Sequence, residues 1–574
     1  MLRTSRVGAS LSRNTRLLSS SGLRLFMFAA LVFTCFPGAQ TVGAQQAPTF
    51  GSSASMLPRT VGVYSVVNLN PDDAQRAPLT RLWDYYMQNP EIQSQVQPAL
   101  DSMIRGMSWN EVREGMATWV GHEAFFAIPT PRDAQSLFEM TTSSRSSMMS
   151  GPPSDLPILT GIAVRNPTAM LAFFLTLPNN PTGSDVSSVN HNGVAVSTIV
   201  TDSGTYYMAL PSGWLLFAGS QQVIFDALDR TATNSLASNP TFQEALRGQA
   251  TAPLALVYAD NPSQSFVTPE TAGFSPDFTA WTAATIRYDA RGLRIDQTNG
   301  NDPSKMTAAQ RALVTAAAPQ MRTARLAPAN SAVLLAQSHI NLIWNVVKET
   351  IERSPSGSDF RQGLLSFEAE TGLNVDRDIF GWMTGELGAF VAPGGEEAPM
   401  GFGVALAIEA PDPTVAQARV ARFMDVITAT DTTGATITVE QIAGNRFNKL
   451  SSRSGGDNFV LYLGTVGAWV IAADDASLVT GLAARAAGGA DQGLAGDSGF
   501  SSVRALLPNP SQSIIYVDIT RLTDMILSAS SPYVSPSEAA QARSYLAPFK
   551  RIAMGGSSTL ERTRATTFIE IQVP

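Results

Sequence analysis

The chain of 574 residues has one cysteine, three histidines, four lysines (Lys305, Lys348, Lys449, Lys550) and only 15% charged residues. Cys35, the one thiol, lies in an N-terminal apolar run, so no intrachain disulfide can supply stability. His122, His191 and His339 are scattered without H-x-H or H-E-x-x-H spacing, which removes the recognisable zinc sites. No Gly-Lys dipeptide occurs, which excludes a P-loop, and Gly401-Phe402-Gly403 lacks the third glycine of a dinucleotide fingerprint. No G-x-S-x-G or S-x-x-K is present. Past the N-terminus no window approaches 18 uninterrupted apolar residues, so no later membrane span is expected. The low charge argues against a coiled coil or a charged rod.

What is present fits a strand-rich globular protein: 44% hydrophobic residues, 44 Gly and 35 Pro. Residues 1–44 carry Arg3, Arg6, Arg13, Arg16 and Arg24 and no acid. An apolar run from Leu25 to Phe36 and the small-residue site Val42-Gly43-Ala44 follow, the layout of a secretory signal peptide cleaved after Ala44. A run of that length makes about 18 Å of helix, short of a ~30 Å bilayer core. An uncleaved anchor is the other reading. Removing the segment leaves 34 basic against 47 acidic residues, a net charge of −13. Phosphate backbones should repel such a chain, so nucleic acid is not an expected partner.

Two stretches, 58–300 and 328–574, carry the same landmarks in the same order. Each opens with Pro and an apolar strand, Val61 to Val67 and Ser331 to Ala336, followed by a helix around Trp83 or Trp344. A helix-to-strand step comes next, from Trp119 and from Trp382; aligning Gly121 with Gly385 sets His122 against Glu386. Then a strand runs into a capped helix at Asn166-Pro167 and at Asp412-Pro413. A meander follows, Val194 to Thr201, Tyr206 to Leu210 and Trp214 to Ala218 against Thr436 to Gln441, Phe459 to Leu463 and Trp469 to Ala472. At a constant offset, Leu236, Ala237, Phe242, Tyr258 and Asp260 meet Leu494, Ala495, Phe500, Tyr516 and Asp518. Closing hairpins are expected at 283–297 and 558–573.

The expected fold is α+β: two tandem repeats, each a mainly antiparallel sheet covered by helices. Residues 45–57 read as a flexible tether, 141–153 as a Ser/Met/Pro loop and 301–327 as a connector. The helix after Asn166, apolar nearly all round, reads as buried core. The landmarks Leu57-Pro58 with its strand, the step near Gly121 and Gly385, and S-L-A-x-N-P-x-F at Ser235 to Phe242 resemble secreted bacterial proteins of domain of unknown function 3352. The second stretch opens with Ala327-Pro328 and keeps only Leu494-Ala495 and Phe500 of the last motif. The resemblance implies an exported protein with this architecture and no catalytic residue.

Gly496-Asp497-Ser498-Gly499 resembles a serine-protease motif, but Phe500 follows it and the run reads as a helix start. Asp474-Asp475 and Asp72-Asp73 lack calcium-loop spacing and read as caps. Asp260 and Asp518, each after a Tyr, remain as candidates for two related ligand sites; the alternative is that each caps the turn or helix after its strand. Trp119, Trp382, Trp214 and Trp469 read as core. No catalytic, cofactor-binding or metal residue is expected. The expected function is that of an exported, non-enzymatic binding or structural protein whose partner is an unknown protein or an apolar ligand. A carrier of a lipid-like ligand is the first alternative, and a hydrolase using a carboxylate pair the second.

Overall fold

The computed structural model describes residues 50–573 except 91, 95–108, 135–156, 177–185, 202–203, 248–252, 262–277, 355, 396–397, 399, 431–435 and 455–456. The signal segment with Ala44 and Cys35, the 141–153 loop and the start of the tether lie outside the described residues. The chain divides into two compact units, one of residues up to Phe266 with Thr285–Ala290, the other of Val267–Ala284 with Arg291–Pro574.

The first unit begins with a short 3-10 helix, Ser52–Met56, whose Ser53 and Ala54 are buried. This stretch, expected to be a flexible tether, is packed. Its strands are β1 Val63–Asn68, β2 Val120–Ile128, β3 Leu159–Val164, β4 Val186–His191, β5 Val194–Thr201, β6 Gly204–Ala209, β7 Trp214–Ala218 and β8 Ala255–Asp260. They pair in the order β4-β5-β6-β7-β3-β2-β1-β8, each pair antiparallel. Helices α1 Asp73–Met87, α2 Trp109–Trp119, α3 Pro167–Thr176, α4 Gln221–Leu228 and α5 Pro240–Leu246 connect them. Side-chain caps start several: Asp72 accepts from Gln75 N–H, Asn166 from Ala169 N–H and Asn239 from Thr241 N–H. The β4–β5 reversal is a two-residue turn with both residues left-handed, Asn192 and Gly193, as a tight hairpin requires. Tyr64, Phe242 and Tyr258 form the centre of the core, with edge-to-face contacts at 5.8 and 5.1 Å.

Strand β9, Thr279–Asp289, is divided between the two units. The second unit holds β10 Gly292–Asn301, β11 Val333–Ser338, β12 Glu386–Pro393, β13 Phe402–Glu409, β14 Thr436–Ile442, β15 Asn445–Ser454, β16 Asp457–Val466, β17 Trp469–Ala473, β18 Ser513–Asp518, β19 Phe549–Ser558 and β20 Arg562–Ile571. They pair in the order β14-β15-β16-β17-β13-β12-β11-β18-β19-β20-β10, again antiparallel. Its helices are α6 Ala308–Thr315, α7 Thr323–Leu326, α8 Ile340–Arg353, α9 Gly357–Thr371, α10 Pro413–Thr430, α11 Ala476–Ala486, α12 Ser498–Arg504, α13 Ile519–Ala529 and α14 Pro536–Leu546. The core joins Leu334, Phe390, Phe447, Tyr462, Tyr516 and Phe568 on one sheet face. Ala443 and Gly444 make the left-handed turn between β14 and β15.

Four further expectations change. The connector 301–327 belongs to the second unit, with Thr323, Ala324, Leu326 and Ala327 buried. Strands β4 and β15 are additions to the expected set. The last hairpin lies at 549–571, and 559–561 is its turn. Helix α3 is not buried core: only Met170 is buried, and Leu171 and Leu175 are 57% and 68% exposed. It presents one side to Trp119 through Phe173 and Phe174 and leaves the other outward.

Candidate functional site

Asp260 and Asp518 each end a strand beside a buried Tyr, in separate units. Asp260 Oδ1 accepts from the Tyr258 hydroxyl at 2.7 Å and Oδ2 from Val61 N–H at 3.0 Å. Burial pushes the Asp260 carboxyl above its ordinary range, and these two donors oppose the shift. Asp518 instead caps α13 by accepting from Arg521 N–H at 2.9 Å, with Arg521 and Arg551 guanidinium nitrogens at 3.6 and 3.5 Å. Arg521 also binds Asp497, which caps α12 through Phe500 N–H, and Arg551 binds Glu570. The Asp497-Ser498 run is therefore a helix start. The Tyr516 hydroxyl, buried between these charges, has no hydrogen-bond partner among the described residues, whereas that of Tyr258 is bonded. Burial raises the proton affinity of both phenols, with the adjacent Asp adding to it.

Two carboxylates outside the expected candidates are more deeply engaged. Glu123, fully buried on β2, accepts from Gly51 N–H at 2.7 Å, Ser53 N–H at 2.8 Å and the Ser52 hydroxyl at 3.2 Å. It satisfies the free amides that open the 3-10 helix, where a helix start favours negative charge. His122 Nε2 lies 3.1 Å from the Ser52 hydroxyl; burial lowers its proton affinity, against the pull of Glu123. In the second unit Glu386 Oε2 accepts from Thr323 N–H at 3.0 Å at the start of α7. The β1–β2 register sets Asn68 opposite Glu123, and the β11–β12 register sets Ser338 opposite Glu386. The β2–β3 register slips between Val120 and Ala124. Glu123, rather than His122, therefore holds the place of Glu386. The signal in the sequence is the Glu one or two residues after a Gly at a helix-to-strand step.

The remaining candidates have local roles. Asp72 and Asp475 are helix caps, and Asp475 also accepts from Gly395 N–H. His191 pairs with Asp229 at 2.7 Å while stacking on Phe225, and His339 contacts the Ala317 carbonyl. Among the described residues no three His, Cys, Asp or Glu side chains converge as a metal site would require. No described helix is long and apolar enough to cross a membrane. A surface groove of about 470 Å³ beside the β19–β20 turn is lined by Val314, Thr315, Pro510, Gln512 and Glu561, with one acid. A smaller cavity of about 160 Å³ in the first unit has Asp133, Asp226 and Arg230 in its wall.

The most unusual surface is the outer face of the second sheet. Alternation puts Leu334, Phe390, Tyr516 and Phe568 in the core and their neighbours on the opposite face. Directly paired residues Leu406, Ala389, Leu335, Ile515 and Met554 form one row across β13, β12, β11, β18 and β19. Leu335, Ile515 and Met554 are 40%, 37% and 41% exposed. Val391, Val333, Val517, Ile552 and Ile569 form a parallel half-buried row. At about 4.8 Å per strand the first row is about 19 Å long. Helices α8, α13 and α14 contain no buried residue, although α8 and α13 are amphipathic. The exposed strip is therefore Leu335, Ile515 and Met554, bounded by Leu406, which packs with Val420 and Met424 of α10, and by α13, which lies against β18 and β19. Adjoining exposed apolar residues mark a binding site more often than scattered ones do.

A family model described as protein of unknown function (DUF3352) matches residues 22–570. No curated protein matches the chain. Among solved structures, crystal form III of TP0453 is similar at 9% identity and a TM-score of 0.25, over 47% of this chain and 87% of that one. Crystal form I of TP0453 gives 8% identity and a TM-score of 0.23, over 43% and 77%.

Proposed function

The chain belongs to the DUF3352 family of proteins of unknown function, and from that premise we propose that it is an exported, non-enzymatic binding protein. Its ligand is elongated and apolar, lipid-like in chemistry, and lies along Leu335, Ile515 and Met554, the exposed part of this row of the second sheet. The open row carries this reading: a solvated sheet face normally alternates polar side chains outward, and this one presents Leu, Ile, Val and Met instead. Burying an exposed Leu, Ile or Met contributes about 1.5–3 kcal/mol when complete, so three such residues with their half-buried neighbours can hold an acyl chain.

Export is supported by the Arg-rich start and the apolar run ending at Ala44. N-terminal sequencing of exported protein should begin near Gln45, and a retained Arg-rich start would count against it. An origin by duplication is supported by the pairing orders. β4-β5-β6-β7-β3-β2-β1-β8 and β14-β15-β16-β17-β13-β12-β11-β18 are the same order with ten added to each number. Native mass spectrometry of protein purified from its host tests the ligand. A co-purifying apolar molecule, lost in Leu335→Glu, is expected; equal loading of both proteins would refute the assignment.

A further inference from the structure

Among the described residues the anchorage of α7 leaves two buried oxygens, Glu386 Oε1 and Thr323 Oγ1, without a hydrogen-bond partner of good geometry, although the Arg322 backbone N–H is also directed at the Glu386 carboxylate. They belong to the two residues joined by the Thr323 N–H to Glu386 Oε2 bond. A second carboxylate adjoins them: Glu409 Oε2 accepts from Glu386 N–H at 3.3 Å. Two glycines make the room. A Cβ at Gly385 would stand 2.9 Å from the Glu409 Cβ, and one at Gly388 2.9 Å from the Thr323 Cβ. Both glutamates are buried, and the guanidinium of Arg322, which pairs with Glu409 Oε1, is itself about half in solvent. The other charged or titratable groups on neighbouring segments are directed elsewhere. Arg485 of α11 is held by the Leu326 carbonyl and Asp491, His339 by the Ala317 carbonyl, and Arg325 is exposed. Two carboxylates thus share one half-solvated cation, an arrangement in which both cannot ionise without cost.

We infer that Glu386, buried beside the Glu409 carboxylate, takes up a proton from solvent on acidification, and that this uptake fastens α7 to the second sheet. The proton removes the like-charge repulsion from Glu409 and gives the Glu386 carboxyl a donor, which a carboxylate lacks. Burial raises the proton affinity of Glu386 and Glu409 adds to it, while Thr323 N–H and Arg322 oppose. With the folded affinity raised, the stabilisation is full below the ordinary carboxyl range and fades as pH rises through the folded value. The counterpart in the first unit differs: Glu123 has three donors.

Hydrogen exchange on the full chain, corrected for the intrinsic pH dependence of exchange, tests this. Thr323 N–H donates to Glu386 and Ala327 N–H to the Thr323 carbonyl, so these two amides report on the anchorage. Their protection should rise about threefold or more from pH 7.5 to pH 5, because protonated Glu386 holds α7 more tightly. Glu386→Gln, which mimics the protonated acid, should show the acid level of protection at both pH values. Glu409→Gln should shrink the pH effect while leaving α7 in place. Protection of the wild type that does not change with pH, or full pH dependence in Glu386→Gln, would overturn the inference; should that variant not fold, the wild-type and Glu409→Gln profiles decide it.

Discussion

Strands β1–β8 and β11–β18 pair in the same order, and one row of the ladder is filled differently in each. In the second unit the row reads Leu406, Ala389, Leu335, Ile515; in the first it reads Thr160, Phe126, Ser65, Val257. Leu335 is exposed, while Val63, its neighbour's counterpart in the first unit, is buried. The helix anchors differ as well: Glu123 is saturated by backbone and hydroxyl donors, Glu386 is not. At its helix anchor the first unit is thus the better satisfied, and on this row the second keeps an apolar strip, with an incompletely bonded acid at its own anchor. Unsatisfied groups and exposed apolar rows cost stability, and they persist where a site uses them. The contrast favours the second unit as the seat of the proposed binding function.

The sharpest way to break this contrast is at the anchors. Glu123→Ala strands two amides and a hydroxyl, and should destabilise the first unit by about 3 kcal/mol, with loss of exchange protection over Ser52–Met56. Glu386→Ala removes fewer bonds and should cost less than Glu123→Ala in the same denaturant titration. Asp378, buried in the second unit, accepts from Arg377, Arg419 and Asn374 N–H, and the Arg377 bond foremost holds its carboxyl well below the usual range. Asp378→Asn should cost about 2–3 kcal/mol at neutral pH. That difference should narrow as pH falls, because the wild-type advantage exists above the ordinary carboxyl range and is lost on protonation.

Next in size, Leu335→Glu should weaken binding of a fluorescent fatty acid about tenfold, roughly 1.4 kcal/mol, whereas Ser65→Glu should leave it unchanged. Equal effects of the two would erase the distinction between the rows. The smallest effect is at His122. Burial lowers its proton affinity, so its contribution is present above the ordinary imidazole value and lost as pH falls through the folded one. A titration followed by NMR should place its midpoint below about 6.5.

Local chemistry is legible in the chain and tertiary context less so. The caps at Asn166 and Asp412 can be read because a side-chain acceptor followed by Pro has one structural use, and they accept from Ala169 N–H and Thr414 N–H in the first turn. Strand β15 escapes because Phe447 and Leu450, three residues apart, are both buried, on opposite faces and in different clusters; the period-two pattern is therefore broken. Strand β4, Val186–His191, is an edge rich in Ser and Asn. Helix α3 misleads because apolarity on all sides does not say which sides are covered. Glu123 and Glu386 stay hidden since a Glu beside Gly reads as solvated, and only the fold brings helix amides onto it.

Photo-crosslinking of the full chain with a diazirine-bearing fatty acid, followed by peptide mapping, tests the central claim most directly. Label concentrated on Val333–Ser338, Ser513–Asp518 and Phe549–Ser558 is predicted, and strongly reduced label in Leu335→Glu. Label spread evenly over the chain, or concentrated on Val63–Asn68 and its neighbours, would contradict the account.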